Sequence, residues 1–143
     1  MIAADDLLLV RSVTLHEGYR GHVYRDSVGC WTLGIGRLVE PPGGISREES
    51  EVLLANDLQR CLHSAHVVCP TFGSLPDDAQ RVLVEMIFQL GARGVAGFGD
   101  MLGALAALDY TAAAAHGLDS VWATQTPARA REMMARLAAC QEA

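Results

Sequence analysis

The sequence predicts a mostly helical α+β fold, and three patterns lead to this expectation. Apolar residues recur at helical spacing through most of the chain, in segments that stop at glycine or proline. Residues 19–35 differ, because their short aromatic and β-branched runs are broken by glycine and by Asp26-Ser27, which is typical of a hairpin of two or three short strands. Of the 143 residues, 50% are hydrophobic and 20% are charged. This composition is ordinary for a globular domain with its own core.

The first predicted helix covers residues 3–14. Gly18 suits the end of a helix, which places Glu17 in or just past the last turn. The short apolar run 7–10 lacks the basic segment and cleavage site of a secretory signal. No apolar run reaches the roughly 18 residues of a membrane span. We therefore expect synthesis in the cytosol and no membrane insertion.

Proline and glycine also divide the second half of the chain. The clearest break is Pro41-Pro42-Gly43-Gly44, after which Ser46-Arg47-Glu48-Glu49 fits a capping box at the start of a long helix. This helix is expected to run to about His66. Further helices are predicted from an opening at Ser74-Leu75-Pro76-Asp77 to Leu90, and at residues 99–108, 110–117 and 127–140; Gly91 ends the first, and Thr126 with Pro127 opens the last.

Charge and cysteine usage exclude two classes of protein. Residues 1–70 carry nine acidic and six arginine residues and residues 71–143 carry eight and five, so that −3 of the net −6 falls in each part. Without a basic patch, nucleic acid is not an expected partner. A disulfide framework is not expected in a cytosolic protein. We interpret all four cysteines as reduced: Cys30, Cys61, Cys69 and Cys140.

Two carboxyl residues, Glu17 and Asp26, stand on different predicted elements beside the hairpin. Cleavage of a glycosidic bond requires one protonated and one ionised carboxyl group. Different elements provide different environments, which push two pKa values apart. Thr32 follows six residues after Asp26, inside a predicted strand. A threonine at this position is also explained by its preference for β-strands alone.

The spacing of these three residues carries a resemblance to a known family. Glu17, eight residues, Asp26, five residues and Thr32, flanked by Tyr24-Arg25-Asp26 and Thr32-Leu33-Gly34-Ile35-Gly36, resemble the bacteriophage lysozymes, glycoside hydrolase family 24. Later stretches extend the resemblance in order over nearly the whole chain: Phe88-Gln89-Leu90-Gly91, Gly94-Val95-Ala96-Gly97-Phe98 and Trp122-Ala123-Thr124-Gln125-Thr126-Pro127.

The resemblance implies a single lysozyme domain, residues 1–143, with two lobes. The small lobe would cover about residues 13–65, with a β-hairpin and an inter-lobe helix of roughly 30 Å. The larger helical lobe would cover about residues 66–143. The N-terminal helix, residues 3–14, would pack on the larger lobe.

The resemblance also implies an activity. It is hydrolysis, with inversion, of the β-1,4 bond between N-acetylmuramic acid and N-acetylglucosamine in peptidoglycan. Glu17 would be the general acid, Asp26 the ionised partner, and Thr32 a ligand of the attacking water. No metal or organic cofactor is implied. We expect a monomer that lyses a bacterial host from the host cytoplasm and reaches the periplasmic wall through a membrane lesion made by a holin-like partner.

Other positions match the family's sugar cleft or its ion pairs. Leu38, Phe88 and Gln89 are the expected substrate contacts, although Phe88 is equally interpretable as a core residue. Two further cleft positions, Met101 and His116, lack the small polar or amide groups that the family has there. Arg129 matches an arginine near the catalytic glutamate, and Arg37 with Asp57 matches a charged pair.

Three alternatives remain open. The fold also suits a wall-binding module without catalysis, and the same glutamate would serve a lytic transglycosylase. The third is zinc, because Cys61-x-His63-x-x-His66-x-x-Cys69 holds four potential ligands. On a continuous helix, however, Cys61 lies about 160° around the axis from His63, so these ligands would converge only if the helix broke.

Overall fold

The computed structural model describes residues 1–142. The chain divides into two compact units, unit 1 from Met1 to Glu51 and unit 2 from Val52 to Ala143. Seven α-helices and one three-stranded sheet form in this range. The predicted α+β class is confirmed. The proposed lobe boundaries, and the packing of the N-terminal helix on the larger lobe, stay predictions.

Unit 1 begins with helix α1, Leu7–Glu17, followed by a small antiparallel sheet. The sheet contains β1 (Arg20–Arg25), β2 (Trp31–Gly34) and β3 (Arg37–Leu38), in that order. Helix α1 starts four residues later than predicted because Asp6 caps it, its side chain accepting a hydrogen bond from the Leu9 N–H at 2.9 Å. The two or three predicted strands are confirmed as three, the third lying beyond residue 35.

Helix α2, Arg47–Val68, begins in unit 1 and continues into unit 2. Its predicted capping box is confirmed in both directions. The Glu49 N–H donates to the Ser46 hydroxyl at 3.0 Å, and the Ser46 N–H donates to the Glu49 carboxylate at 2.9 Å. Two of the amides that a helix start leaves free are thereby satisfied.

Unit 2 continues with five helices, α3 (Asp77–Ala96), α4 (Gly99–Ala106), α5 (Tyr110–Leu118), α6 (Val121–Gln125) and α7 (Pro127–Ala139). Gly91 has non-helical φ 76° and ψ 161°, so the first segment of α3 ends there as expected, and a second helical segment follows the kink and runs to Ala96. The short α6 was not predicted. Thr126 precedes α7 as expected, but its hydroxyl donates to the Trp122 carbonyl at 3.1 Å and does not cap α7.

The buried apolar core of the described residues lies entirely in unit 2. Helix α7 packs against α3, α5 and α6. Gly117 of α5 lies against Met134 of α7, and a Cβ at that position would collide with the Met134 sulfur. The largest fully buried side chains are Phe72, Leu83, Met86, Met101, Leu105, Met133, Met134 and Leu137.

Within residues 1–142 no single helix has both the length and the apolarity of a membrane span. In the part of the chain that the structure describes, one pair of helices, α3 and α4, reaches those limits together by length and composition, and the two are bent by 101° at their junction.

An ion-pair network joins α3 to α7 inside unit 2. Arg136 donates to both carboxylate oxygens of Asp78, at 2.8 and 3.3 Å. Its guanidinium also lies 3.6 Å from Glu85 and 3.5 Å from Glu132. The hydrogen bond from Arg136 lowers the pKa of Asp78 below its ordinary value. This bidentate geometry is the favourable one for an arginine and a carboxylate.

We predict that Asp78→Asn lowers the melting temperature at about pH 7 and lowers it less at about pH 3. Because the folded-state pKa of Asp78 is depressed, its contribution is present above the ordinary aspartate pKa of about 3.9. It is lost as pH falls through the lower folded value. Melting curves of both proteins across this pH range measure the difference.

Asp77→Asn is the matched control, since Asp77 also lies in the first turn of α3. Its side chain is 85% exposed and its arginine partner, Arg81, is 3.8 Å away. Asp77→Asn should therefore cost little at either pH. An equal loss for the two variants would mean that the helix end, and not Arg136, is responsible.

Candidate active site

Glu17 is the last residue of α1, as the glycine after it suggests. Gly18 ends the helix with φ 70°, and its N–H donates to the Thr14 carbonyl at 2.9 Å. A left-handed φ at this position is the usual helix stop provided by glycine. The Glu17 side chain is exposed and reaches toward Gly36, the residue before β3.

Asp26 opens the turn between β1 and β2. Its Oδ1 accepts hydrogen bonds from the Val28 N–H at 3.0 Å and the Cys30 N–H at 2.8 Å. The Asp26 N–H donates to the Cys30 carbonyl at 2.9 Å, and the Gly29 N–H donates to the Asp26 carbonyl at 3.0 Å. Aspartate often organises turns in this way. One carboxylate oxygen thus holds the turn, while Oδ2 has no hydrogen-bond partner within unit 1.

Two arginines of β1, Arg20 and Arg25, pack on aromatic rings of the hairpin. The Arg25 guanidinium donates to the Gly29 carbonyl at 2.9 Å and lies over the Trp31 ring, 4.2 Å from its centroid. Arg20 lies over Tyr24 at 4.3 Å. The contacts of Arg25 place its positive charge beside the turn that carries Asp26.

Thr32 lies in the middle strand, opposite Tyr24 of β1 and Leu38 of β3. It is the one buried polar residue among those described, at 2% exposure. Its hydroxyl donates to the Cys30 carbonyl at 3.0 Å, which leaves the oxygen able to accept. This bond and the burial also suit a purely structural strand residue, so the role in holding water stays a prediction. Leu38 is a direct neighbour of Thr32 in the sheet.

Cys30 lies between the two candidate residues Asp26 and Thr32. A side-chain hydrogen bond with Glu40, together with desolvation and the charge of Asp26, raises the pKa of the Cys30 thiol. The thiol is therefore protonated at neutral pH and is a poor nucleophile. All four cysteines are free in the structure.

The expected pairing of Arg37 with Asp57 is wrong. Arg37 donates to both carboxylate oxygens of Glu49, at 2.6 and 3.2 Å, while Asp57 pairs with Arg60 one turn along α2. The capping box already fixes Glu49 at the start of α2, so its carboxylate is preorganised for the guanidinium. The Ser46 N–H and then Arg37 lower the pKa of Glu49.

Phe88 and Gln89, the expected substrate contacts of α3, lie in unit 2. Phe88 is 46% exposed, so it is not a core residue, and it lines a groove of about 630 Å³ with Leu58 and Val84. Gln89 accepts a hydrogen bond from the Trp122 indole at 3.0 Å, and its amide nitrogen lies 3.5 Å from the Thr126 hydroxyl. The amide of Gln89 is therefore held in place by protein contacts, and both substrate roles stay predictions.

Met101, His116 and Arg129 also lie in unit 2. Met101 is buried in the core at 1% exposure. His116 is exposed and lines a pocket of about 360 Å³ that Met101 and Trp122 also border. Arg129 pairs with Glu85 at 3.2 Å. Its suggested role toward Glu17 stays a prediction.

The geometry does not favour the zinc alternative. Helix α2 is continuous through Cys61, His63 and His66 to Val68. His66 packs edge-to-face on Phe72 at 4.8 Å, and the Cys69 thiol lies 3.5 Å from the Thr71 hydroxyl. No group of three potential ligands converges within residues 1–142.

Comparison with known proteins adds an independent finding. The model of the phage lysozyme family matches residues 14–138. The chain is 36% identical over 141 residues to the pre-baseplate central spike protein Gp5 of Enterobacteria phage T4, covering 80% of this chain and 24% of Gp5. It thus spans about a quarter of the length of that relative.

Two relatives from Dictyostelium discoideum match over most of their length. They are named "Probable T4-type lysozyme 2" and "Probable T4-type lysozyme 1", and are 26% and 24% identical to this chain over 148 residues. Each alignment covers 82% of this chain and 86% of the relative.

We predict that a double-mutant cycle with Arg37→Gln and Glu49→Gln gives a measurable coupling in unfolding free energy at about pH 7. Both side chains are partly exposed, at 52% and 41%, so the coupling should be modest and should weaken with salt. Since the pKa of Glu49 is lowered, the coupling is present above the ordinary glutamate pKa of about 4.3 and disappears as pH falls through the folded value.

A double-mutant cycle with Arg37→Gln and Asp57→Asn is the control. It should give no coupling to Arg37, because Asp57 pairs with Arg60. Coupling to Asp57 and none to Glu49 would contradict the observed pairing.

Proposed function

The chain belongs to the phage lysozyme family, and from this premise we propose that it hydrolyses the β-1,4 bond between N-acetylmuramic acid and N-acetylglucosamine. Membership of this family supports peptidoglycan degradation by a glycoside hydrolase. The bond, the inverting mechanism and the roles of single residues are our proposals. The observation that carries them is the occurrence of Glu17, Asp26 and Thr32, at the family's spacing, within the matched region and within unit 1.

In the proposed first event, Glu17 donates its proton to the glycosidic oxygen. The bond between that oxygen and the anomeric carbon breaks, and positive charge develops on the sugar ring. Protonating the leaving oxygen is the task of the general acid in this reaction class. A side chain at a helix end with an exposed carboxyl group can reach a polymeric substrate.

Water then attacks the anomeric carbon from the opposite face. Asp26 takes the proton of this water, so that one proton is delivered by Glu17 and one is accepted by Asp26 in each turnover. The two amide bonds to Oδ1 fix the orientation of the carboxylate and leave Oδ2 for the water. The Thr32 hydroxyl donates its hydrogen to the Cys30 carbonyl, so its oxygen would accept a hydrogen bond from the other O–H of the water.

An inverting enzyme must fit a water molecule between the sugar and its base. We therefore expect the carboxyl groups of Glu17 and Asp26 to lie roughly 6.5–9.5 Å apart. Leu38, Phe88 and Gln89 are the proposed substrate contacts. No metal or organic cofactor is required by this scheme.

The proposed biological role is lysis of a bacterial host. The protein would accumulate in the host cytoplasm as a monomer and reach the periplasmic wall through a membrane lesion made by a holin-like partner. The identity to the central spike protein Gp5 favours a second role, local opening of the wall by a virion component. Detection of the protein in purified virions would favour the second role, and its release only into late lysates would favour the first.

We predict that Glu17→Gln reduces the release of reducing sugar from purified peptidoglycan by about 10²–10⁴-fold. Glutamine keeps the shape of glutamate but has no proton of the required acidity. The melting temperature should hold or rise, because catalytic carboxyl groups are often a cost to stability. Initial rates and melting curves of the two proteins test both parts.

Glu48→Gln is the matched control, since Glu48 is also an exposed helical carboxylate of unit 1. It should retain full activity. Retained activity in Glu17→Gln would contradict the assignment of Glu17 as the general acid. A parent protein that sediments with peptidoglycan but releases nothing would instead be a binding module, and anhydro-muramic ends in the mass spectrum of the products would identify a transglycosylase.

A further prediction concerns salt. Bacterial walls are polyanionic, and this chain carries a net charge of −6, so the long-range force between them should be repulsive. Raising salt from about 10 to 150 mM shortens the Debye length to about 8 Å and screens this repulsion. The initial rate of clearing of permeabilised bacteria should therefore rise or hold.

The alternative outcome has a clear physical meaning. Arg20, Arg25 and Arg37 lie in the hairpin, and a local positive field from them could dominate over the net charge. A fall in the clearing rate of several-fold over the same salt range, at fixed pH, would mean that these arginines attract the wall.

A further inference from the structure

Gly36 lies directly against the carboxyl group of Glu17. A Cβ atom built at this position would be 2.7 Å from Oε2 of Glu17, 2.9 Å from Cδ and 3.0 Å from Cγ. Real Cβ atoms essentially never approach other atoms closer than 3.0 Å, so a side chain at residue 36 would make the flexible end of Glu17 shift. The space that a Cβ would fill at residue 36 is therefore next to the end of the Glu17 side chain.

Gly36 also has a left-handed backbone, with φ +71°. Such a conformation strains residues that carry a Cβ. Gly34, two residues earlier, has nearly the same φ of +67°, but a Cβ there would meet nothing within 4 Å. Both glycines therefore have a positive φ, but of the two only Gly36 lies where a Cβ would clash with Glu17.

Contact with Gly36 matters because no polar contact restrains the carboxyl group of Glu17. Within unit 1 the Glu17 side chain takes part in no hydrogen bond and no ion pair, and it is exposed at the end of its helix. Several rotatable bonds would otherwise let the carboxyl group sample many positions. A steric surface at residue 36 removes part of that range.

We propose that Gly36 is a positioning residue for Glu17, and that the absence of a side chain at residue 36 sets where the acid is held. The proposal rests on the proposed function of Glu17 as general acid. A methyl group at residue 36 would displace the carboxyl group from its seat. The oxygen that faces away from Gly36 is the one left to deliver the proton to the glycosidic oxygen. A misplacement of about 1 Å can cost about 10²-fold in rate.

The first experiment compares Gly36→Ala with Gly34→Ala. Both variants carry the strain of alanine at a positive φ, but only Gly36→Ala adds the collision with Glu17. On soluble peptidoglycan fragments, kcat of Gly36→Ala should fall about 10–100-fold further than kcat of Gly34→Ala. KM should differ little between the two, because a displaced acid impairs the bond-breaking step and not binding. Equal losses of kcat would overturn the proposal.

The second experiment tests the contact without using activity. The melting temperature is measured for both alanine variants in the parent chain and in a Glu17→Ala background. Removing the Glu17 side chain should make the loss caused by Gly36→Ala smaller, because the clash ends, and should not change the loss caused by Gly34→Ala. If Gly36→Ala does not fold in the parent chain, recovery of folding in the Glu17→Ala background is the supporting result. Equal losses in the two backgrounds, or failure to fold in both, would overturn the proposal.

The two experiments separate this proposal from the one on which it rests. Coupling in melting temperature without an excess loss of kcat would overturn the positioning role although the contact exists. If Glu17→Gln is then also active, the error lies in the assignment of the general acid. If Glu17→Gln is inactive, the error lies in the role given to Gly36.

Discussion

The turn at Asp26 is the constraint on which the candidate site depends. Its Oδ1 binds two backbone N–H groups, and this fixes the path from β1 to β2. The register that follows pairs Thr32 with Tyr24 on one edge and with Leu38 on the other. Because side chains alternate between faces, a slip of one residue would turn Thr32 to the opposite side. One oxygen of this carboxylate thus has a structural role, and the other has no hydrogen-bond partner within unit 1.

Local rules predicted the features of the chain that depend on neighbours in sequence. Gly18 stops α1 beside Glu17, Ser46 and Glu49 cap α2, and Pro127 opens α7. Each feature involves residues at most four positions apart, so its geometry follows from backbone sterics and a free amide. The three candidate residues Glu17, Asp26 and Thr32 are also close in sequence, and the family resemblance that predicts the site rests on their spacing.

Partners that are distant in sequence were not predictable in the same way. Arg37 had several carboxylates within reach by charge alone, and it pairs with Glu49 because the capping box already orients that group. The helical segment after Gly91 was also not predicted, since a glycine that can end a helix can also bend one. The Gly-Ile-Gly segment marks Gly36 in the sequence. Its proximity to Glu17, however, depends on where α1 ends in space, and the sequence does not give that position.

The distribution of buried residues separates stability from chemistry. Every buried apolar side chain among those described belongs to unit 2, where Arg136 ties α7 to Asp78 and Glu85 of α3. Glu17, Asp26 and Thr32 belong to unit 1, in which α1 buries none of its residues. Segments with few buried contacts open more readily than a core, and functional residues often lie in them. Site geometry in unit 1 must therefore come from backbone devices, namely a glycine helix stop, an aspartate turn and a glycine without a side chain. Each acts at one residue, so conservative substitutions of the candidate residues can remove chemistry and leave the core of unit 2 intact.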